Sequence, residues 1–173
     1  MSEPVTPFKQ VFQLGIVVRD VDASIERYKS LLGVTDEMIS RIETKDLPDW
    51  IETRYRGKPS EFHIRIALIN MGGIQFELIE PIAGEPSCYS EFFEKVGQGI
   101  QHIMVQPVDH EGLIETLEAN GSELINQGKM FGQEFRYYDL TEDLGFVLEL
   151  FAGMPDDYVR GVMATGMGAA EEA

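Results

Sequence analysis

The chain has 173 residues, of which 43% are hydrophobic and 25% charged, which fits one globular domain or two small modules sharing a core. Its 30 acidic and 14 basic side chains leave a net charge of −16, an excess that disfavours nucleic acid and anionic membranes as partners. A single cysteine, Cys88, excludes an intrachain disulfide and reads as a structural or incidental thiol in a reducing compartment.

In chain order, residues 11–18 are β-branched and apolar and predict a strand. Asp20 or Asp22 then caps a helix whose apolar face is Ile25, Tyr28, Leu31 and Leu32, and Gly33 ends it. Residues 34–43 predict a second strand. Residues 44–59, with Pro48, Trp50, Gly57 and Pro59, predict a long loop and candidate lid. Residues 62–70 and 74–79 predict two strands joined by Met71-Gly72-Gly73, with Pro81 as the stop. Residues 87–96 predict a helical connector. A strand at 100–106, a helix at 109–119 and strands at 122–126, 134–140 and 146–151 follow. The tail after Pro155 is expected to be flexible or loosely docked. The N-terminus lacks the pattern of a signal peptide and no apolar run is long enough to span a membrane, so a cytoplasmic protein is expected.

The order strand-helix-strand-strand-strand therefore occurs twice. Residues 73–78 read Gly-Ile-Gln-Phe-Glu-Leu and residues 145–150 read Gly-Phe-Val-Leu-Glu-Leu, with Glu77 and Glu149 at the same offset. Aligning Gln13 with His102 places Asp20 on Asp109, Ile25 on Ile114 and Glu26 on Glu115. The second copy has the shorter middle. This divides the chain into an extension (1–9), module one (10–81), a helical connector (82–99), module two (100–154) and a tail (155–173).

A carboxylate inside an apolar strand is costly to bury alone, so the two glutamates call for a partner. Gln13 and His102 occupy matching places on the first strand of each module. If two four-stranded sheets curl around one cavity, Gln13, Glu77, His102 and Glu149 converge. Three oxygens and one imidazole nitrogen suit a divalent ion.

Two stretches carry a family resemblance. Phe-His-Ile-Arg-Ile-Ala-Leu-Ile-Asn-Met-Gly-Gly-Ile-Gln-Phe-Glu-Leu-Ile-Glu-Pro (62–81) is similar to the third and fourth strands of the epimerase-like branch of the vicinal oxygen chelate superfamily. Phe-Phe-Glu-Lys-Val-Gly-Gln-Gly-Ile-Gln-His-Ile (92–103) resembles that branch's bridging helix and fifth strand. The superfamily contains glyoxalase I, methylmalonyl-CoA epimerase, extradiol dioxygenases and drug-binding resistance proteins. The resemblance implies an α+β, glyoxalase-like fold, two βαβββ modules pairing into a curled, partly open sheet around a central cavity. It maps the metal ligands onto Gln13, Glu77, His102 and Glu149, holding one divalent ion (Co, Zn, Mn, Ni or Mg). Epimerases usually carry His where this chain has Gln13. The Gln, Glu, His, Glu set is similar to that of some glyoxalases I, whose glutathione-binding pattern is absent here.

The implied activity is a metal-dependent isomerase or epimerase of the methylmalonyl-CoA epimerase type. Its substrate would have two chelating oxygens, with an acyl-CoA thioester as the expected example. Glu149 would act as base, with Glu77 opposing it. The alternatives are a glyoxalase I-like lactoylglutathione lyase and a non-catalytic binding protein of the same fold. Dioxygenase chemistry is disfavoured, because it needs a two-His-one-carboxylate iron site. Glu61 and Glu43 are candidates for a second proton carrier, and His63 for a cavity-facing residue. Trp50, Tyr55, Phe135, Tyr137 and Tyr138 are candidates for pocket walls or packing. Arg54, Arg56 and Lys58 are candidates for an anion contact or a solvated loop. Exposed strand edges make a homodimer the expected assembly.

Overall fold

A computed structural model describes residues 7–82, 84–153 and 156–165. The first module opens with β1 (Phe8–Val17), whose apolar run pairs on both sides, and helix α1 (Val21–Leu32). The Asp20 side chain caps α1 by accepting from the Ala23 N–H, and Gly33 closes it with φ 71°. After β2 (Ile39–Glu43), β3 (Ile51–Tyr55) and β4 (Lys58–Pro59), strands β5 (Ile64–Met71) and β6 (Ile74–Pro81) complete the module. Helix α2 (Cys88–Lys95), started by a Ser87–Ser90 capping box, bridges to the second module. That module comprises β7 (Gly99–Pro107), α3 (His110–Ala119), β8 (Glu123–Met130), β9 (Gln133–Leu140), a single turn α4 (Thr141–Leu144) and β10 (Phe146–Phe151). Helix α5 (Asp156–Ala164) follows.

These strands form one open, mixed sheet in the order β2-β5-β6-β1-β7-β10-β9-β8-β3-β4. The modules meet at the antiparallel β1–β7 pair, while β1–β6 and β7–β10 are parallel. The halves are thus related by a local two-fold between β1 and β7. The repeat also holds in detail: Asp109 caps α3 through Gly112 N–H as Asp20 caps α1, and Ile25 and Ile114 are both buried. The glycine opening each Glu phrase has a positive φ, 77° at Gly73 and 85° at Gly145, which explains why the phrase begins with Gly in both copies.

Strand alternation sorts the core onto two faces. On one face α1 buries Val21 and Ile25 against Ala67, Ile69 and Leu78, and α3 buries Ile114 and Leu117 against Tyr138, Leu140 and Leu148. On the other face Trp50, Phe62, Ile66, Tyr89, Phe135 and Tyr137 form a shared aromatic floor.

Two expectations are corrected. Residues 34–43 are a strand only over Ile39–Glu43, because Asp36–Met38 forms a 3₁₀ turn. Residues 44–59 are not a lid. They form a 3₁₀ turn and the β3–β4 hairpin, which crosses to pair with β8 of the other module. Trp50 pins that crossing by stacking on Phe135 at 5.1 Å and donating from Nε1 to the Phe62 carbonyl at 2.8 Å. In the tail, α5 buries Val159 and Val162 against Phe12 and Met104; the remainder, 166–173, lies outside the described residues. Among the described residues no helix is long and apolar enough to cross a membrane.

Candidate metal centre and substrate cavity

Strand register builds the site from two rungs across the four central strands. Glu77 (β6), Gly15 (β1), His102 (β7) and Val147 (β10) are Cα partners in the first. Gln75, Gln13, Met104 and Glu149 are partners in the second. The local two-fold exchanges the rungs, carrying Glu77 onto Glu149 and His102 onto Gln13.

Two β-bulges aim the central residues. Between the Val11–Val105 and Gln13–Met104 pairs, Phe12 is the extra residue of β1; between Gly15–His102 and Ile16–Ile100, Gln101 is the extra residue of β7. Phe12 and Gln101 are equivalent in the repeat. A bulge re-aims the side chain next to it. Gln101 consequently lies beside His102, and His102 Nδ1 donates to Gln101 Oε1 at 2.7 Å. In the neutral ring that bond fixes the tautomer whose Nε2 lone pair can be offered to a cation.

His102 Nε2 lies 3.0 Å from Glu149 Oε2 and 3.3 Å from Glu77 Oε2. The ligand atoms of all three residues fall within 4.8 Å of one another, and all three side chains are buried. Nevertheless Glu77 Oε2, His102 Nε2 and Glu149 Oε2 have no hydrogen-bond partner of acceptable geometry. Buried orphans of this kind are costly, and a cation shared by all three, a proton on His102 or a metal ion in its place, offsets that cost. Two carboxylate oxygens and an imidazole nitrogen fit a divalent cation.

Gln13 shares the cavity with Glu77 and Glu149. Its Nε2 donates to Gln75 Oε1 at 2.7 Å. Gln75 in turn spends both N–H groups, on Asn70 Oδ1 and Tyr158 Oη, each at 2.8 Å. The relay commits the Gln13 nitrogen and leaves its amide oxygen as the atom available to a cation.

Burial opposes a charge on His102, but the contacts with Glu149 and Glu77 outweigh it and raise its pKa to about 9. Burial raises the Glu77 carboxyl, and the Glu149 charge adds to the effect. Burial pushes the Tyr89 and Tyr137 phenols and the Cys88 thiol well up, so the floor beneath the site stays neutral.

Above the cluster opens a cavity of about 470 Å³. Ile42, Leu68, Met104, Met130, Phe131 and Phe151 form its apolar walls. Phe131 stands at the tip of the β8–β9 hairpin with φ 54°, followed by Gly132 at 71°, the pattern of a tight two-residue turn.

The remaining sequence candidates lie elsewhere. Glu43 pairs with Arg65 and Lys45, Glu61 is exposed and His63 approaches Thr44; none lines the cavity, which corrects their candidacy. Trp50, Phe135 and Tyr137 pack in the floor, and Tyr138 packs on the opposite face. Arg56 binds Glu91 and Glu123. Sequence reasoning missed Gln75, Gln101, Phe131 and Tyr158. Gln75 was accessible, because it sits two residues before Glu77 and strand alternation puts both on one face. Gln101 was not, because its place beside His102 depends on a bulge.

Residues 12–138 match the family described as the Glyoxalase/Bleomycin resistance protein/Dioxygenase superfamily. No curated protein sequence matches significantly. Among solved structures, the chain is similar to methylmalonyl-CoA epimerase from Mycobacterium tuberculosis, with a TM-score of 0.59 and 22% identity over 89% of this chain and 94% of that one. A hypothetical protein from Bacillus halodurans C-125 gives a TM-score of 0.59 and 22% identity, over 84% and 95%. A variant of Streptomyces coelicolor methylmalonyl-CoA epimerase, in complex with 2-nitronate-propionyl-CoA, gives 0.53 and 19%, over 83% and 96%. At these identities the likeness is one of fold.

Proposed function

The chain belongs to the glyoxalase/bleomycin resistance protein/dioxygenase superfamily, and within it we propose a metal-dependent isomerase of the methylmalonyl-CoA epimerase type. The observation that carries this reading is the trio of orphaned ligand atoms beneath a largely apolar cavity. Glu77, His102 and Glu149 would hold a divalent ion, with the Gln13 amide oxygen as a fourth ligand. Such an ion supplies Lewis-acid polarisation of a substrate carbonyl.

The chain's own groups do the rest. Glu149 takes the proton next to the carbonyl, and Glu77, contributed by the other module, serves the opposing side. The apolar walls hold the acyl group and exclude water from the reacting carbon. The acyl-CoA analogue bound by the Streptomyces epimerase variant supports a thioester of this class. The two-carboxylate donor set also favours a second reading, a glyoxalase I-like lyase. The exposed outer strand β4 keeps a homodimer as the proposed assembly.

Incubating metal-loaded protein in D₂O tests these readings. Deuterium uptake at C2 of a C2-branched, dioxygen-bearing acyl-CoA, with methylmalonyl-CoA as reference, is expected. The methylglyoxal–glutathione hemithioacetal is expected to be unchanged. Turnover of the hemithioacetal alone would move the assignment to the lyase. Failure of the purified protein to take up any divalent metal, with Glu149→Gln indistinguishable from wild type, would leave a non-catalytic binding protein.

A further inference from the structure

Among the described residues, the charged groups lining the cavity are Glu77 and Glu149; its other polar groups, Gln13, Ser40, Gln75, Gln133 and Tyr158, are neutral. No lysine, arginine or histidine of the sequence falls outside the described residues, and none lines this cavity. Strand alternation turns Arg41 and Lys129 away from the cavity, while Lys9 and His110 line a neighbouring pocket that shares Met104, Phe151 and Gly153 with it. Arg41, between the cavity residues Ser40 and Ile42, binds Asp22. Lys129, beside Met130, binds Glu52 at 2.7 Å. Arg136 binds Glu134 at 3.1 Å. Two carboxylates balance one divalent ion, and the imidazole of His102 and the amide of Gln13 add no charge to that sum. The loaded centre therefore has no surplus positive charge for an anion.

We infer that this cavity selects acyl groups whose second oxygen is neutral, a ketone, hydroxyl or ester, over those carrying a carboxylate there. The inference deepens the isomerase reading and rests on it for the thioester scaffold. A substrate carboxylate would enter a low-dielectric space already holding two carboxylates, without a counter-cation. A ketone or hydroxyl meets hydrogen-bonding groups instead. Tyr158 Oη accepts from Gln75, so its own proton is free to be donated to a carbonyl oxygen. Gln133 and Ser40 offer further donors at the wall.

The test compares two near-isosteres, methylmalonyl-CoA and 2-methylacetoacetyl-CoA, in which a methyl replaces one carboxylate oxygen. The shared carrier cancels. Calorimetric titration of the full chain, metal-free and manganese-loaded, is expected to show the ketone binding at least about tenfold tighter. Ser40→Lys, which places a cation at the rim, is expected to narrow that ratio by improving carboxylate binding. Equal affinity, tighter binding of the carboxylate, or binding of neither thioester overturns the inference. Exchange in D₂O is read separately. If the ketone binds tighter and neither compound exchanges, the isomerase reading falls while the charge selectivity stands.

Discussion

The imidazole of His102 occupies the space a side chain at position 15 would take: a Cβ built on Gly15 lies 1.8 Å from His102 Cε1. Gly15 and His102 are cross-strand partners on β1 and β7, so the backbone cannot separate them without breaking the pairing that joins the modules. In the equivalent place of the second rung, Met104 sits beside Gln13 and projects into the cavity. Gly15→Ala is expected to swing the ring off the cluster and to reduce divalent-metal affinity at least tenfold. The overpacking should cost about 1–3 kcal/mol. Metal titration together with thermal unfolding checks both; an unchanged metal affinity means the ring position does not matter.

The two glutamates are expected to separate by role. Glu149→Gln and Glu77→Gln should each weaken metal binding, because a neutral amide replaces a charged ligand. If Glu149 is the base, its variant loaded with excess manganese should still exchange substrate deuterium about 10²–10⁴ times more slowly. Equal residual rates for both variants at saturating metal would assign the proton transfer to neither.

Gln75 joins Gln13 to helix α5 through Tyr158. Gln75→Leu removes the acceptor for Gln13 Nε2 inside a buried site and is expected to cost about 1–3 kcal/mol. It should also change which metal is preferred, because the Gln13 amide is no longer held. Tyr158→Phe removes one hydrogen bond at a partly exposed position and should leave stability within about 1 kcal/mol. Competition among manganese, cobalt and zinc for each variant distinguishes a positioning role from a purely structural one.

Acid should loosen the contact between helix α2 and the β3–β4 hairpin. Burial raises the Glu91 carboxyl, but contacts with Lys95, Tyr55 and Arg56 outweigh it and lower the pKa to about 2 from 4.5. A depressed folded-state pKa gives stability that is complete above the unfolded value and is lost as pH falls through the folded one. The gap in urea midpoint between wild type and Glu91→Gln should therefore be largest at neutral pH and shrink between pH 4.5 and 2. A gap that stays constant with pH refutes this assignment.

The β3–β4 crossing should behave as sheet. The Arg56 N–H donates to the Ile125 carbonyl at 2.9 Å and the Ser60 N–H to the Thr53 carbonyl at 3.0 Å. Hydrogen exchange at these amides is expected to be slowed to the level of neighbouring strands, whereas a mobile lid would exchange rapidly. Trp50→Ala, which empties the stack on Phe135, should cost about 3–5 kcal/mol.

Local chemistry made much of this legible from sequence. The 146–151 strand matches β10 residue for residue, and 109–119 gives α3 with its Asp109 cap, because periodicity and capping are written within a few residues. Glu77, His102 and Glu149 were found from the repeat, since a duplicated module puts equivalent residues in equivalent places. Other features have no local signature. The β3–β4 segment carries Pro48, Gly57 and Pro59 and reads as loop; it becomes strand by pairing with β8, about 70 residues later in the chain. Helix α5 has few residues of its own to declare it, and it docks through Val159 and Val162.

The sequence by itself determined the two modules, their helix caps and the four polar positions on the inner strands. Tertiary structure alone decided what those positions can do. The bulges at Phe12 and Gln101 and the pairing of Gly15 with His102 aim three ligand atoms at one point, and such aiming depends on how non-adjacent strands register. Nor does any local pattern reveal that, among the described residues, the cavity lining holds two carboxylates and no cation. That follows from which face each strand turns inward, and it is what gives the site its charge.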